Sequence, residues 1–569
     1  MKQTRWILKE QKNEQIVDKL VDELKIDRVL CELLVRRGIR NFEEAKAFFR
    51  PTLNMLHDPF LMKDMDKAVE RFEKAVASNE KIIVYGDYDV DGTTAVALAY
   101  TFLKELHDNI EYYIPDRYKE GYGISKTGID VAAEKGATLM IALDCGVKAN
   151  DLVEYAKSKG IDFIICDHHR PGDKIPDAVA VLDPKRDDCT YPFDELSGCG
   201  IGFKFIQAIA LNRDLDSSLL IPYLDLVAVS TAADIVPIVG ENRVLAYYGL
   251  KVLNSDPRPG LKAIIELSGI RRELRISDVV FFIAPKINAA GRMTEGSKAV
   301  DLLISSTNVK ATSRGEGIDL SNRKRKQVDS EMTQEAIRML ESDPLYEFKK
   351  STVVYKDTWH KGVVGIVAAR LIDQYYRPTI VLCQSNDHVA GSARSVKGFD
   401  VYNAIEECSD LLEQFGGHKY AAGLTMKKEN IEAFTKKFEE VVSRTISAKQ
   451  LSPEIEIESE IDLDDITPSF FRILKQFEPF GPGNMSPVFK TSGVRDNGTG
   501  KIVGQTHLKM AVTQNGNKTG MINSIAFQKG PLISAVSNSE GFDICYEIEE
   551  NHFNGRVDLQ LNIKDIKFN

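Results

Sequence analysis

The sequence predicts an α/β protein with a parallel-sheet domain, a second α/β lobe joined to it by a long helix, and a C-terminal all-β domain of OB type. Three observations carry that expectation. Short apolar runs alternate with helical patterns over 66–308 and again over 346–450. A polar helical stretch, 309–345, separates the two regions. A break in composition at 451–465 is followed by short segments of alternating polarity to the end of the chain at 569.

The elements follow in order. Residues 1–65 read as an N-terminal helical region, because VDKLVDELKIDRVLCELLVRRGI spaces its apolar residues at helical intervals. In 66–308, KIIVYGD, TLMIALDCG, DFIICDHH and AVAVLDP are strand candidates, with AVERFEKAVASNE, AVALAYTFLKEL and NDLVEYAKSKG as helices between them. Continuous apolar strands alternating with helices imply a parallel sheet covered on both faces. Ligands bind such sheets at the carboxyl ends of the strands. The stretch 309–345 carries Lys310, Arg314, Arg323, Lys324, Arg325 and Lys326 against Glu316 and Asp319. It reads equally as a connector between lobes or as a solvated helix face. In 346–450, STVVYKD and PTIVLCQ are strands and GIVAARLIDQYY is a helix. LSPEIEIESEIDLDD has seven acids and no base, which suits a linker or an edge strand. Within 451–569, PVFKTSGVRD, HLKMAVTQ, INSIAFQ, FDICYEIEE and VDLQLNIKDI alternate as strands of a small barrel do. Phe477 and Phe480 precede them and read as core rather than stacking residues.

Composition narrows the function. A length of 569 residues suggests three to four domains. With 43% hydrophobic and 28% charged residues, global disorder and fibrous folds are excluded. The net charge of −10 means that any nucleic-acid site must be a local basic track or must use bound cations. The eight cysteines form no CxxC pair, so zinc-ribbon and thioredoxin motifs are absent. Cys145, Cys166 and Cys383 fall in apolar runs and read as buried, reduced thiols. No signal-peptide core and no run of 18 apolar residues is present, so a cytoplasmic protein without membrane attachment is expected.

The chemistry gathers at strand ends. Asp87, Asp89 and Asp91 close the first strand, Asp144 the next, and Asp167, His168 and His169 the third. Asp234 is a fourth acid in an apolar run, LVAVSTAADIVPI. One aspartate after a strand usually caps a turn or helix. Four such coincidences are hard to explain as caps. Alternate residues of an extended segment point to one side about 6.6–7 Å apart, so these carboxylates repel unless a cation sits among them. An oxygen and imidazole shell suits Mn²⁺, or Mg²⁺ with fewer imidazoles, rather than a thiolate zinc site. Asp87 and Asp167 remain open as residues that orient ligands instead of binding the ion.

DYDVDG, LDCG and DHH, in this order and spacing, resemble the DHH phosphoesterase superfamily. SGCGIGFKF, STAADIVPI, PKINAAGRM, WHKGVVGIVAARL, GSARS and FGGHKYAAG narrow the resemblance to the RecJ family of bacterial 5′→3′ exonucleases specific for single-stranded DNA. It runs from about residue 25 into the C-terminal β domain. The resemblance implies a DHH domain at 66–308, a DHH-associated domain at 346–450 and an OB-fold domain at 451–569. It implies two divalent ions, Mn²⁺ or Mg²⁺. Asp89 and Asp144 would hold one. Asp91, Asp144, His168 and Asp234 would hold the other, with Asp144 bridging. Asp87 occupies the extra acid of the first motif, and His169 would face the scissile phosphate. Ser392 and Arg394, the run Gly416, Gly417 and His418, and Arg117 and Arg292 would bind phosphate. His360 would contact substrate or pack the lobe.

The implied activity is hydrolysis of single-stranded DNA to mononucleotides in recombination and repair. The implied partners are single-stranded DNA, a single-strand-binding protein and a RecQ-type helicase, with a monomer as the simplest state. The alternative is a DHH-family phosphodiesterase of short oligoribonucleotides or cyclic dinucleotides. Those relatives are usually shorter, so the terminal regions favour a polymer substrate. A non-catalytic scaffold is disfavoured because every acid and His168 remain.

Overall fold

The computed structural model describes residues 4–11, 13–514, 520–553 and 556–568. The chain divides into two units: the N-terminal residues to Lys9 with Arg323–Ile457, and Glu10–Asn322 with Glu458 onward.

The larger unit is built on a five-stranded parallel sheet in the order Ile110–Tyr113, Lys81–Gly86, Ala137–Leu143, Asp162–Cys166, Ala180–Leu182. Side chains alternate between its faces, as the strand pleat requires. Ile82, Val84, Leu139, Ile141 and Ile164 pack under the helices Met65–Ala77, Val90–Leu106 and Gly198–Asn212. Ile83, Tyr85, Met140, Phe163 and Ile165 pack under Lys126–Glu134 and Asn150–Ser158. The edge strand Ile110–Tyr113 was not expected. Its IEYY sequence is too short and polar to stand out from a loop.

The N-terminal region departs from the all-helical expectation. Its helices Glu14–Leu24, Arg28–Arg36 and Phe42–Phe49 are present, but a strand, Arg5–Leu8, precedes them. That strand pairs in parallel with Glu454–Ile457, in the smaller unit. The helices are no loose appendage. Val17, Leu20, Leu30 and Leu34 share one core with Phe470, Phe477, Phe489 and Phe542 of the C-terminal region. Phe477 is thus a core residue, stacked edge-on with Phe48 and Phe49.

The C-terminal strands close into a barrel. Phe489–Asp496 pairs with Phe542–Phe553, then Arg556–Phe568, Ile522–Ala526 and His507–Gln514, which returns to Phe489–Asp496. Five strands in a closed ring are the OB architecture. The acidic stretch before it forms short strands, Glu454–Ile457 and Ser459–Glu460.

The smaller unit holds a five-stranded sheet ordered Gln414–His418, Ala421–Met426, His388–Arg394, Thr379–Ser385, Thr352–Tyr355. Only the last pair is parallel. Helices Val364–Tyr375, Val401–Glu406 and Ile431–Thr445 accompany it. The polar helix Asn308–Glu341 runs through the point where the two units divide.

Candidate metal centre

Three adjacent parallel strands deliver the acids to one edge. Asp87 follows Lys81–Gly86, Asp144 follows Ala137–Leu143, and Asp167, His168 and His169 follow Asp162–Cys166. Asp89 caps the helix Val90–Leu106, accepting from the Gly92 amide at 3.0 Å, and Asp91 lies in its first turn. Asp234 corrects the expectation of a fourth strand end. It is the C-cap of the helix Leu224–Ala233. A short, mostly apolar run, broken before Asp234 only by the small residues Ser230 and Thr231, has no clear period to tell a helix from a strand.

The side chains converge on one imidazole. His168 Nε2 lies 3.3 Å from Asp144 Oδ1, 3.5 Å from Asp234 Oδ2 and 3.7 Å from Asp91 Oδ2. Asp91 is the best supported of the three. Its Oδ2 accepts from the Gly198 amide at 2.7 Å, and its Oδ1 accepts from the Cys199 amide at 2.8 Å and the Ser230 hydroxyl at 2.6 Å. Asp144 and Asp87 are different. Both are buried, yet Asp144 Oδ1 and Asp87 Oδ2 accept no hydrogen bond, and His168 Nδ1 has no partner. A buried carboxylate oxygen without a donor is costly, and a cation resolves that cost. The donor atoms of Asp91, His168 and Asp234, and of Asp144, His168 and His169, form two sets close enough to share an ion. Hard oxygens with imidazole and no thiolate fit Mn²⁺ or Mg²⁺.

The electrostatics agree. Burial, then repulsion from Asp89, lifts Asp87 well above the usual carboxylate range. Burial and Asp91 also raise Asp89, and they lift Asp144 well above that range. Asp234 is pushed up to about 8 by burial and then by Asp91 and Asp89. Burial lowers His168 and favours the neutral, ligating imidazole. Asp167 plays another part. Its Oδ1 accepts from His169 Nδ1 at 2.8 Å and from the His168 amide at 2.8 Å, and its Oδ2 accepts from the Val147 amide at 2.8 Å. It therefore orients the histidines. Burial opposes charge on His169, but the Asp167 carboxylate outweighs it and raises His169 to about 9.

The phosphate-binding candidates form two groups. In the smaller unit, strand register aligns Ser392 with Gly423 and Gly416, and Arg394 with Ala421 and His418. Ser392, Arg394, Gly416 and His418 thus share one sheet face. Arg394 Nη1 donates to Ser392 Oγ at 2.9 Å. A Cβ on Gly365 would lie 2.9 Å from both side chains, so the start of Val364–Tyr375 packs directly on the pair. Gly417, at φ +145°, has no room for a Cβ beside the Ala421 carbonyl. His360 sits in the turn leading to the same helix, its Nδ1 accepting from the Gly362 amide at 3.1 Å. Arg117 and Arg292 belong to the larger unit. The Arg117 guanidinium lies 4.8 Å above the Tyr88 ring, within the DYDVDG loop. Arg292 lies in the last turn of the helix Ala284–Met293, and its carbonyl accepts from the Tyr118 hydroxyl.

Family models match three stretches of the chain: the DHH family N-terminal domain at 81–231, the DHHA1 domain at 349–444 and the RecJ OB domain at 457–565. The single-stranded-DNA-specific exonuclease RecJ of Bacillus subtilis is 37% identical over 99% of this chain and 70% of its own length. RecJ of Escherichia coli is 31% identical over 97% of this chain and 98% of its own length. The chain belongs to the RecJ family. A crystal structure of Thermus thermophilus RecJ in complex with Mn²⁺ matches with a TM-score of 0.85 at 26% identity, covering 99% of this chain and 79% of that one. A second crystal structure of that protein, in complex with Mg²⁺, matches with a TM-score of 0.79.

Several residues at this centre escaped sequence reasoning. Gly198, Cys199 and Ser230 lie in SGCGIGFKF and STAADIVPI, which mark the RecJ family, but their hold on Asp91 has no local signal. Tyr122, flanked by Gly121 at φ +91° and Gly123 at φ +81°, brings its hydroxyl 3.1 Å from His169 Nε2. Asp183, fully buried just after the strand Ala180–Leu182, is raised to about 7 by burial. Its place after AVAVL was the signal available.

Proposed function

We propose that the chain is a metal-dependent exonuclease that degrades single-stranded DNA from the 5′ end to mononucleotides, in recombination and repair. The observation that carries this reading is the convergence of Asp91, Asp144 and Asp234 on His168 Nε2, each within 4 Å, beside buried oxygens that lack donors. Asp89 and Asp144 would hold one divalent ion, with Asp87 as ligand or support. Asp91, Asp144, His168 and Asp234 would hold a second. Bound there, two ions supply an activated water and stabilise the attacking and leaving oxygens of an in-line displacement.

The remaining steps belong to the chain's own groups. Asp167 fixes the His169 ring and keeps it charged at neutral pH, so that its Nε2–H, which meets the Tyr122 hydroxyl at 3.1 Å, would be offered to a phosphate oxygen of the substrate. Ser392, Arg394, Gly416, Gly417 and His418 offer oriented donors to a terminal 5′-phosphate, beside a helix N-terminus that favours anions. His360 steadies the turn before that helix. Arg117 and Arg292 bind backbone phosphate near the ions.

The domain reading that goes with this is a catalytic domain at 66–308, a connecting helix at 309–345, a DHH-associated domain at 346–450 and a barrel domain at 451–569, with helices at 1–65. The protein works as a monomer in the cytoplasm, with a single-strand-binding protein and a RecQ-type helicase as partners. Eight free thiols support a reducing compartment, and no helix among the described residues is long and apolar enough to cross a membrane.

The deciding assay incubates the purified protein and Mn²⁺ with a 3′-labelled single-stranded DNA, a matching RNA and a blunt duplex. Progressive shortening of the labelled DNA, with RNA and duplex spared, is the expected result. Intact DNA alongside loss of two- to five-nucleotide RNA overturns the reading in favour of an oligoribonucleotide phosphodiesterase.

A further inference from the structure

One helical segment of the larger unit leads away from the metal centre with its aromatic residues outward. It runs from Ile276 to Met293 and is π-helical over Val279–Ile283. Such turns are rare and are frequently found at functional sites. Val279, Ile283, Ala284, Ile287 and Ala290 are buried beneath it. Phe281 and Phe282 face the other way, 70% and 47% exposed. Two adjacent phenylalanines in water are anomalous on a helix whose apolar side is already packed.

The position of the pair says what covers it. From Phe281, steps of four, three and four residues lead to Pro285, Asn288 and Arg292, a single helical stripe of partly exposed residues. At the far end, a Cβ on Gly291 would lie 2.6 Å from the Tyr88 carbonyl oxygen, so this helix rests on the loop that carries Asp87, Asp89 and Asp91. At the near end, Arg275 Nε lies 3.6 Å from the Glu478 carboxylate, where the chain enters the barrel. The stripe therefore spans the interval between barrel and metal centre. At 1.5 Å per residue, Phe281 stands about 16 Å from Arg292, about five stacked bases at 3.4 Å each. A phenyl face accepts any base, which suits an enzyme without sequence preference.

We propose that Phe281 and Phe282 form a stacking platform for the DNA strand between the barrel and the metal centre, a few nucleotides to the 3′ side of the bond that is cut. The proposal rests on the exonuclease reading above and adds a length dependence to it. A strand long enough to reach the platform gains affinity there, and a strand too short does not.

The test compares (dT)20 with (dT)3 in initial-rate assays with Mn²⁺. The double variant F281A/F282A should raise KM for (dT)20 by about five- to 150-fold, the range for losing one base–aromatic stack. It should leave kcat/KM for (dT)3 and the Mn²⁺-induced rise in Tm within twofold of wild type. F281W/F282W should match wild type. F281L/F282L, which keeps apolar surface and loses the ring faces, should resemble the alanine pair. An unchanged KM for (dT)20, an equal loss on (dT)3, or a leucine pair as good as wild type overturns the platform. Wild-type protein that leaves (dT)20 intact overturns the exonuclease reading itself, a different result from wild-type protein that digests it and a variant that digests it equally well.

Discussion

Gly198→Ala tests the metal centre through a residue that would ligate nothing. Gly198 opens the helix Gly198–Asn212, and its amide donates to Asp91 Oδ2 at 2.7 Å. A Cβ there would lie 2.6 Å from Asp144 Cβ and 2.7 Å from its Oδ1, where ordinary contact begins at 3.4 Å. Relief therefore needs a displacement of about 1 Å, by the Asp144 carboxylate or by the helix start that holds Asp91. Asp144 cannot yield freely. Its backbone sits at φ +59°, and its amide donates to the Cys166 carbonyl at 2.8 Å. A misplacement of about 1 Å costs on the order of 100-fold in rate, about 2.7 kcal/mol at 1.36 kcal/mol per decade. The expected outcome is a kcat on single-stranded DNA about 100-fold below wild type. Mn²⁺ binding should weaken, and KM for DNA should stay within a few-fold, because Ser392 and Arg394 are untouched. Initial rates, a Mn²⁺ titration followed by electron paramagnetic resonance and Tm in chelator separate these effects. A folded variant with wild-type kcat and Mn²⁺ affinity would refute the placing of Asp91 and Asp144 as ligands that tolerate no shift.

Asp144→Ala should abolish cleavage while leaving single-stranded DNA binding detectable by fluorescence anisotropy; near-wild-type activity would sink the two-ion assignment. Arg394→Ala should reduce the preference for a 5′-phosphate over a 5′-hydroxyl end in competition digests, and unchanged discrimination would move the phosphate pocket elsewhere. Asp87, Asp89, Asp144 and Asp234 hold protons more tightly folded than unfolded, so in chelator their contribution to stability is complete below the unfolded value near 3.9 and is lost as pH rises through about 8 for Asp234. Tm in chelator should therefore fall between pH 5.5 and 8.5, and Mn²⁺ should flatten the slope; equal slopes with and without Mn²⁺ would count against ion binding by this cluster.

The sheet was legible because its strands are continuous apolar runs that end in acids. Ile82 and Val84 go to one face and Ile83 and Tyr85 to the other, and both faces are covered, so no polar residue interrupts the run until Asp87. Pairings that depend on distant segments left no such trace. Arg5–Leu8 finds its partner at Glu454–Ile457, and nothing in either tetrapeptide names the other. The same limit applies at the metal centre, where the sequence lists the acids without their hydrogen-bond state. Asp91 receives two amides at a helix N-terminus and a hydroxyl, so its charge is stabilised before any ion binds. Asp234 stands at a helix C-terminus, where the backbone carbonyls add negative potential and disfavour the same charge. One carboxylate is thus prepared by the fold and another is left for a cation to stabilise. Binding of an ion should therefore release protons from Asp234 and from the raised carboxyls of Asp87, Asp89 and Asp144, while Asp91 brings oxygens already held by amides and a hydroxyl, an arrangement that the packing of Gly198–Asn212 against Leu224–Ala233 creates.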